Sequence, residues 1–134
     1  MRYDTTIKEL LLGRPDLILR LLLDEPVSVS RVLTTELPKV ENLRPDLLLE
    51  LVDLRIVHLE LQAQPLRLFG HRMLGYRQRI RETYQRIPVQ IALWLGKGPV
   101  GITDRIDEPG LHFSYRVVDI QQMNTSELLD SPFL

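Results

Sequence analysis

From Ile56 to Gln64 the chain alternates apolar and polar side chains with hardly a break, a period of two that only a β-strand satisfies. Val57, Leu59, Leu61 and Ala63 form an apolar side, and His58, Glu60, Gln62 and Gln64 form a polar one. The preceding run, Asp46 to Val52, also has strand length, with Leu47, Leu49 and Leu51 on one side and Asp46, Leu48 and Glu50 on the other. Two such neighbours suit a hairpin. A three-residue turn over Asp53 to Arg55 would pair Val52 with Ile56, Leu48 with Glu60 and Asp46 with Gln62. Asp46 would then lie diagonal to Glu60, roughly 7–8 Å away at the backbone. A two-residue turn would put the two carboxylates on opposite faces, because a one-residue change of register inverts a strand.

Asp46, Glu60 and Gln62 on one face make a candidate active site. Two carboxylates and an amide suit a hard cation such as magnesium, which takes oxygen ligands and keeps several waters. Such an ion activates water and stabilises phosphoryl transfer. On periodicity alone the plainer reading is favoured: these residues form the wet face of an amphipathic hairpin, as antiparallel sheets commonly have.

The N-terminal third reads as helix, break, helix. Thr6 with Glu9 makes a capping-box pattern, and Gly13 followed by Pro15 stops one helix and starts the next. These helices are expected to cover one sheet face. The segment Val27 to Leu37 is rich enough in β-branched residues to end in the first strand. From Leu66 to Ile87 the period becomes helical, with Phe69, Met73, Tyr76, Ile80, Tyr84 and Ile87 forming a stripe suited to core packing. Around the stripe lie Arg67, Arg72, Arg77, Arg79, Arg81 and Arg86 against Glu82 alone. Arg72, Arg79 and Arg86, seven apart, share a helical face with Tyr76, and guanidinium forks suit phosphate oxygens. Equally, these arginines suit pairing with acidic groups elsewhere in the fold.

Pro88 to Leu95 is a short apolar run fit for a buried strand, and Leu111 to Val117 alternates as another. Gly96-Lys97-Gly98 between them lacks the phosphate-loop pattern and reads as a turn. His58, His71 and His112 have no zinc-ligand spacing, and His58 reads as a polar bystander on the face of Glu60.

A chain of 134 residues with 44% hydrophobic content can bury one core but hardly two, so one domain over 1–134 is expected. The absence of cysteine excludes disulfides and thiolate metal sites and fits a reducing cytosol. The leucine-rich stretch Leu17 to Leu23 is far shorter than the roughly 20 apolar residues of a membrane span and reads as a buried helix. A formal charge of -1 gives no global attraction to nucleic acid, so DNA binding would need a local basic patch.

Three segments, taken in order, carry a resemblance: Arg44-Pro45-Asp46-Leu47-Leu48, His58-Leu59-Glu60-Leu61-Gln62-Ala63-Gln64-Pro65 and Arg72-Met73-Leu74-Gly75-Tyr76. Together they resemble the recombination-promoting nuclease (Rpn)/YhgA-like transposase family, which is similar to the PD-(D/E)XK nuclease superfamily. The resemblance runs from about Tyr3 onward and is firmest between Arg44 and Leu95. The segments read along the chain give an α/β domain, a central mixed sheet flanked by helices, in the order helices, strand, hairpin, long basic helix, strand, strand, and the resemblance implies a restriction-endonuclease-like core. It also implies a metal-dependent DNA endonuclease. Asp46 matches the first acid and Glu60 the second, and with the carbonyl of Leu61 they would hold magnesium, manganese being the alternative ion. Gln62 stands where most of the superfamily has lysine, so it can orient water but brings no charge. Glu36 is a further ligand candidate, against an ordinary exposed glutamate at a strand end. Arg72 and Tyr76, with Arg79 and Arg86, become candidates for contacting DNA.

The near-neutral charge and missing lysine leave a second class open, a DNA-binding or protein-interaction module that no longer cleaves. Asn124 to Asp130 reads as a capped helix start, and the apolar end Pro132-Phe133-Leu134 invites a partner, such as a second copy of the chain, or a continuation. Because members of the resembled family are commonly longer, a shortened version lacking C-terminal helices is expected.

Overall fold

A computed structural model describes residues 9, 11–35 and 46–123. The expectations for Thr6, Glu36, Asn124 to Asp130 and Pro132 to Leu134 lie outside the described residues.

Helix α1, Pro15–Leu23, begins with proline at its first turn, where the missing N–H would have had no helical partner. It ends where Asp24 turns left-handed, with Pro26 just beyond. Its length suits a buried packing helix rather than a membrane span, and none of the described helices is long and apolar enough to cross a membrane. Strands β1 (Val29–Leu33), β2 (Leu47–Leu51) and β3 (Ile56–Gln62) follow. Helix α2 is Phe69–Tyr84, and then come β4 (Val89–Trp94), β5 (Arg105–Glu108), β6 (Leu111–Ser114), β7 (Arg116–Asp119) and a 3-10 turn, Ile120–Gln122.

Five strands form one mixed sheet in the order β1-β2-β3-β4-β7. The pairs β1/β2 and β2/β3 are antiparallel, whereas β3/β4 and β4/β7 are parallel. A parallel neighbour needs a long crossover, and α2 supplies it between β3 and β4. Strand β4 is thus paired on both edges, which suits the almost unbroken apolar run Val89–Trp94.

Strand parity sorts the two cores. Leu49, Leu51, Val57, Leu59, Ile91 and Leu93 pack with Ile18, Leu19 and Leu22 of α1. Leu48, Ile56 and Ala92 pack on the other face with Phe69, Met73, Tyr76 and Ile80 of α2. Each fully buried aliphatic or aromatic side chain contributes about 1.5–3 kcal/mol, so both layers hold the sheet firmly. The polar residues of β3 lie on the α2 face. His58 and Glu60 are therefore under a helix rather than in water, which corrects the expectation of a wet hairpin face.

The hairpin register also differs from expectation. Leu47 pairs with Leu59, Leu48 with His58, Leu49 with Val57 and Glu50 with Ile56. The turn is Val52-Asp53-Leu54, closed by Leu51 N–H to the carbonyl of Arg55 at 2.8 Å, with Leu54 at φ 75°. A three-residue loop ending in a left-handed residue is a common hairpin closure. Arg55 holds it there, binding Asp53 at 2.9 Å and Glu25 through two contacts of 3.1 Å. Val52, 66% exposed, belongs to the turn and not to the strand. The register thus moves by two residues, an even step that leaves every side chain on its face.

Helix α2 is shorter than the span Leu66 to Ile87. Gln85 adopts a left-handed conformation and closes it, and Pro88 follows. Arg86 therefore lies beyond the helix, so Arg72, Arg79 and Arg86 do not share one helical face. The run Leu111 to Val117 is two strands in two sheets, because Tyr115 turns the chain from β6 into β7. Its N–H binds the carbonyl of Asp104 at 3.0 Å, its hydroxyl binds that of Thr103 at 2.7 Å, and its ring meets Phe69. Strand β5, unforeseen in the polar stretch Arg105–Glu108, pairs with β6 as a small separate sheet. That hairpin rests on the start of α2 at Gly70, where a Cβ would come within 2.8 Å of Ile106.

Candidate functional site

Extended one residue past the Leu47 and Leu59 pair, the hairpin register sets Asp46 directly opposite Glu60. Two hydrogen bonds lock them together. The Asp46 N–H donates to Glu60 Oε1 at 2.8 Å, and the Leu61 N–H donates to Asp46 Oδ2 at 2.8 Å. Asp46 is exposed at the mouth of this arrangement while Glu60 is 4% exposed behind it. The sheet edge-on thus offers one wet and one dry carboxylate side by side.

His58, fully buried, approaches the same Glu60 oxygen with Nε2 at 2.8 Å. Behind it, the Gln90 amide nitrogen lies 3.1 Å from His58 Nδ1 and 2.9 Å from the carbonyl of Met73 in α2. Tyr76 closes the site from above. It is fully buried, its ring meets His58 edge-on at 5.0 Å, and its hydroxyl accepts from Arg72 Nε at 3.0 Å.

Electrostatics follow from burial. Glu60 has its pKa raised chiefly by burial and further by the nearby charge of Asp46, while His58 and the Asp46 N–H work against the rise. The Tyr76 hydroxyl is pushed up to about 12, first by burial and then by the charge of Glu60, with Arg72 opposing.

Gln62 ends β3, and its amide nitrogen donates to the carbonyl of Gln64 at 2.7 Å. Leu61 lends its N–H to Asp46 while its side chain packs on the α1 face. Of the basic residues, Arg72 belongs to the Tyr76 corner. Arg79 lies 3.6 Å from Glu82 on its own helix, and Arg86 reaches Glu50 at 2.7 Å and the carbonyl of Leu54 at 2.6 Å. The structure therefore brings Asp46, Glu60, Leu61, Arg72 and Tyr76 together around one corner. It sends Arg86 to another.

Sequence reasoning gives no role to two residues of this corner. His58 reads as a bystander, although it shares the parity of Glu60. Gln90 carried a signal of its own, a lone amide in an otherwise apolar buried strand. A buried polar side chain needs partners, and the nearest on that face are His58 and the α2 backbone.

Among the described residues no three His, Cys, Asp or Glu side chains form a metal-binding group. The pair Asp46 and Glu60 is a hard, all-oxygen donor set. Its buried member has no arginine or lysine within ion-pair distance among the described residues, His58 being the group that reaches it. One or two carboxylates are what magnesium commonly takes from a protein, with waters and phosphate oxygens filling the remainder. The residues present fit such an ion. A groove of about 530 Å³ lies elsewhere, lined by Arg77, Gln78, Phe113 and neighbours, and meets the corner only through Gln90.

Compared with protein-family models, curated proteins and solved structures, the chain matches none.

Proposed function

We propose that the chain is a metal-dependent DNA endonuclease of the recombination-promoting nuclease and transposase type, hydrolysing phosphodiester bonds. The observation that carries this reading is the joining of Asp46 and Glu60 on one sheet face, wet acid beside dry acid, with no arginine or lysine among the described residues paired to either. Asp46, Glu60 and the carbonyl of Leu61 would hold magnesium or manganese. When bound, the ion supplies a water of lowered pKa and offsets charge building on the phosphoryl group. Gln62, once released from Gln64, can orient the attacking water by its amide. Arg72, braced by the Tyr76 hydroxyl, would steady a phosphate oxygen, and DNA is the expected partner. The resemblance to restriction-endonuclease-like cores supports the same reading, and the mixed sheet flanked by helices is compatible with it.

A second reading, a nuclease-derived binding module without cleavage, has its own support. The Gln62 amide is engaged with Gln64, and Arg86 is held by Glu50, so two residues expected to act on DNA have partners within the chain. Supercoiled plasmid separates the two. Nicking that needs magnesium or manganese, stops in chelator and disappears in Asp46→Ala is the result expected of the endonuclease. Intact plasmid from both proteins, or equal cutting by both, removes the catalytic assignment.

A further inference from the structure

The buried polar residues beneath α2 form a directed chain whose order can be worked out atom by atom. The Gln90 amide nitrogen carries two hydrogens and no lone pair for accepting. It contacts the Met73 carbonyl at 2.9 Å and His58 Nδ1 at 3.1 Å. Turning the amide over would set oxygen against the Met73 carbonyl, so the nitrogen must face both. His58 Nδ1 is then an acceptor, the ring is neutral, and its one proton is on Nε2. That proton points at Glu60 Oε1, 2.8 Å away. His58 is fully buried, and Glu60 and Gln90 are 4% and 7% exposed, so water does not compete for these bonds.

We propose that His58 is a positioning residue for the Glu60 carboxylate, its proton directed to Glu60 Oε1 by the Gln90 amide, which the Met73 carbonyl anchors to α2. This deepens the reading of Asp46 and Glu60 as metal ligands and rests on it. Ligand carboxylates are commonly held by such outer hydrogen bonds, whose loss lowers metal affinity or activity 10–100-fold. Here both donors, His58 Nε2–H and the Asp46 N–H, go to the same oxygen, which fixes the rotation of the carboxyl group. The same chain ties Glu60 to the helix that carries Arg72 and Tyr76, so the acid and the basic corner keep one relative placement.

The test is a manganese titration of the full chain followed by electron paramagnetic resonance, with no DNA present. His58→Ala is expected to weaken manganese binding by about tenfold or more. His58→Gln, whose amide N–H reaches the place of Nε2–H, is expected to restore most of it. A merely structural role would lower the fraction of folded protein in His58→Ala without changing the manganese affinity of the folded part. Equal affinity in parent and His58→Ala overturns the proposal, as does a parent that binds no manganese. Imidazole nitrogen NMR of the metal-free parent gives a second reading, the proton on Nε2 being expected and a proton on Nδ1 overturning the assignment. If the parent binds manganese with this pattern yet never cuts plasmid, the positioning of Glu60 stands and the endonuclease reading falls.

Discussion

Glu50 and Glu60 lie on the same face of neighbouring strands and are nearly equally buried, at 6% and 4% exposure, yet the fold treats them in opposite ways. Glu50 receives two guanidiniums, Arg31 at 2.8 Å and Arg86 at 2.7 Å, and their hydrogen bonds hold its carboxyl below the usual range. Glu60 receives a neutral imidazole and a backbone N–H, faces a second carboxylate, and has its pKa raised by burial. A buried acid with its own cations is a finished structural element. A buried acid left with neutral donors and a like charge is stable only in part, and strain of this kind collects at functional sites. The difference separates a corner of the sheet whose acid is neutralised by its own arginines from the corner proposed to take a metal.

The widest gap between the two acids is expected in activity. Glu60→Gln and Asp46→Ala are each expected to reduce metal-dependent plasmid nicking at least about 100-fold, the scale of losing an electrostatic stabiliser at a reacting centre. Glu50→Gln, measured per folded molecule, is expected to keep most of it. Equal losses in all three would erase the distinction.

Stability should show the same contrast with reversed sign. Glu60 has a folded pKa above its unfolded value, so its contribution is fully present below roughly pH 4 and is lost as pH rises through the folded value. Glu60→Gln keeps an oxygen acceptor for His58 and the Asp46 N–H without the charge. In metal-free buffer at neutral pH it is expected to melt above the parent, by roughly a few degrees, and the two should converge in acid. Glu50 has a lowered folded pKa, so its contribution is present above roughly pH 4 and is lost as pH falls through the folded value. Glu50→Gln is expected to melt below the parent at neutral pH, the gap closing in acid. Magnesium should raise the parent's melting temperature, because a ligand bound only by the folded state stabilises it, and should leave Glu60→Gln unmoved. Thermal melts across pH, with and without magnesium, check all of these.

Smaller effects sharpen the comparison. Tyr76→Phe removes the oxygen that braces Arg72. It should weaken DNA binding in a filter or gel assay by roughly two- to tenfold, the size of one net hydrogen bond, without moving the manganese affinity at Asp46 and Glu60. At the hairpin turn, Leu54 is exposed and left-handed, a conformation that costs a residue with a Cβ roughly 1–2 kcal/mol. Leu54→Gly relieves that and gives back part of it as chain entropy. A net gain of up to about 1 kcal/mol is expected in urea unfolding, with nicking unchanged.

Sequence by itself determined which side chains share a face within each strand. Alternation in Ile56–Gln62 put Glu60 with His58, and alternation in the preceding run put Asp46 with Leu48 and Glu50, while the length of the turn decided that these two sets share a face. The helical stripe from Phe69 to Ile80 and the apolar run of β4 were equally legible, because periodicity is a local property of the backbone. Only the tertiary structure decided the rest. Arg55, bound to Asp53 and to distant Glu25, accompanies the turn that set Asp46 opposite Glu60 instead of diagonal to it. Packing of α2 across that face turned a polar edge into a buried one, so His58 and Gln90 had to find each other. The arginines were divided by the same packing, Arg86 to Glu50 and Arg72 to Tyr76. Which groups meet across a sheet depends on contacts between segments far apart in the chain, and no period within one segment records them.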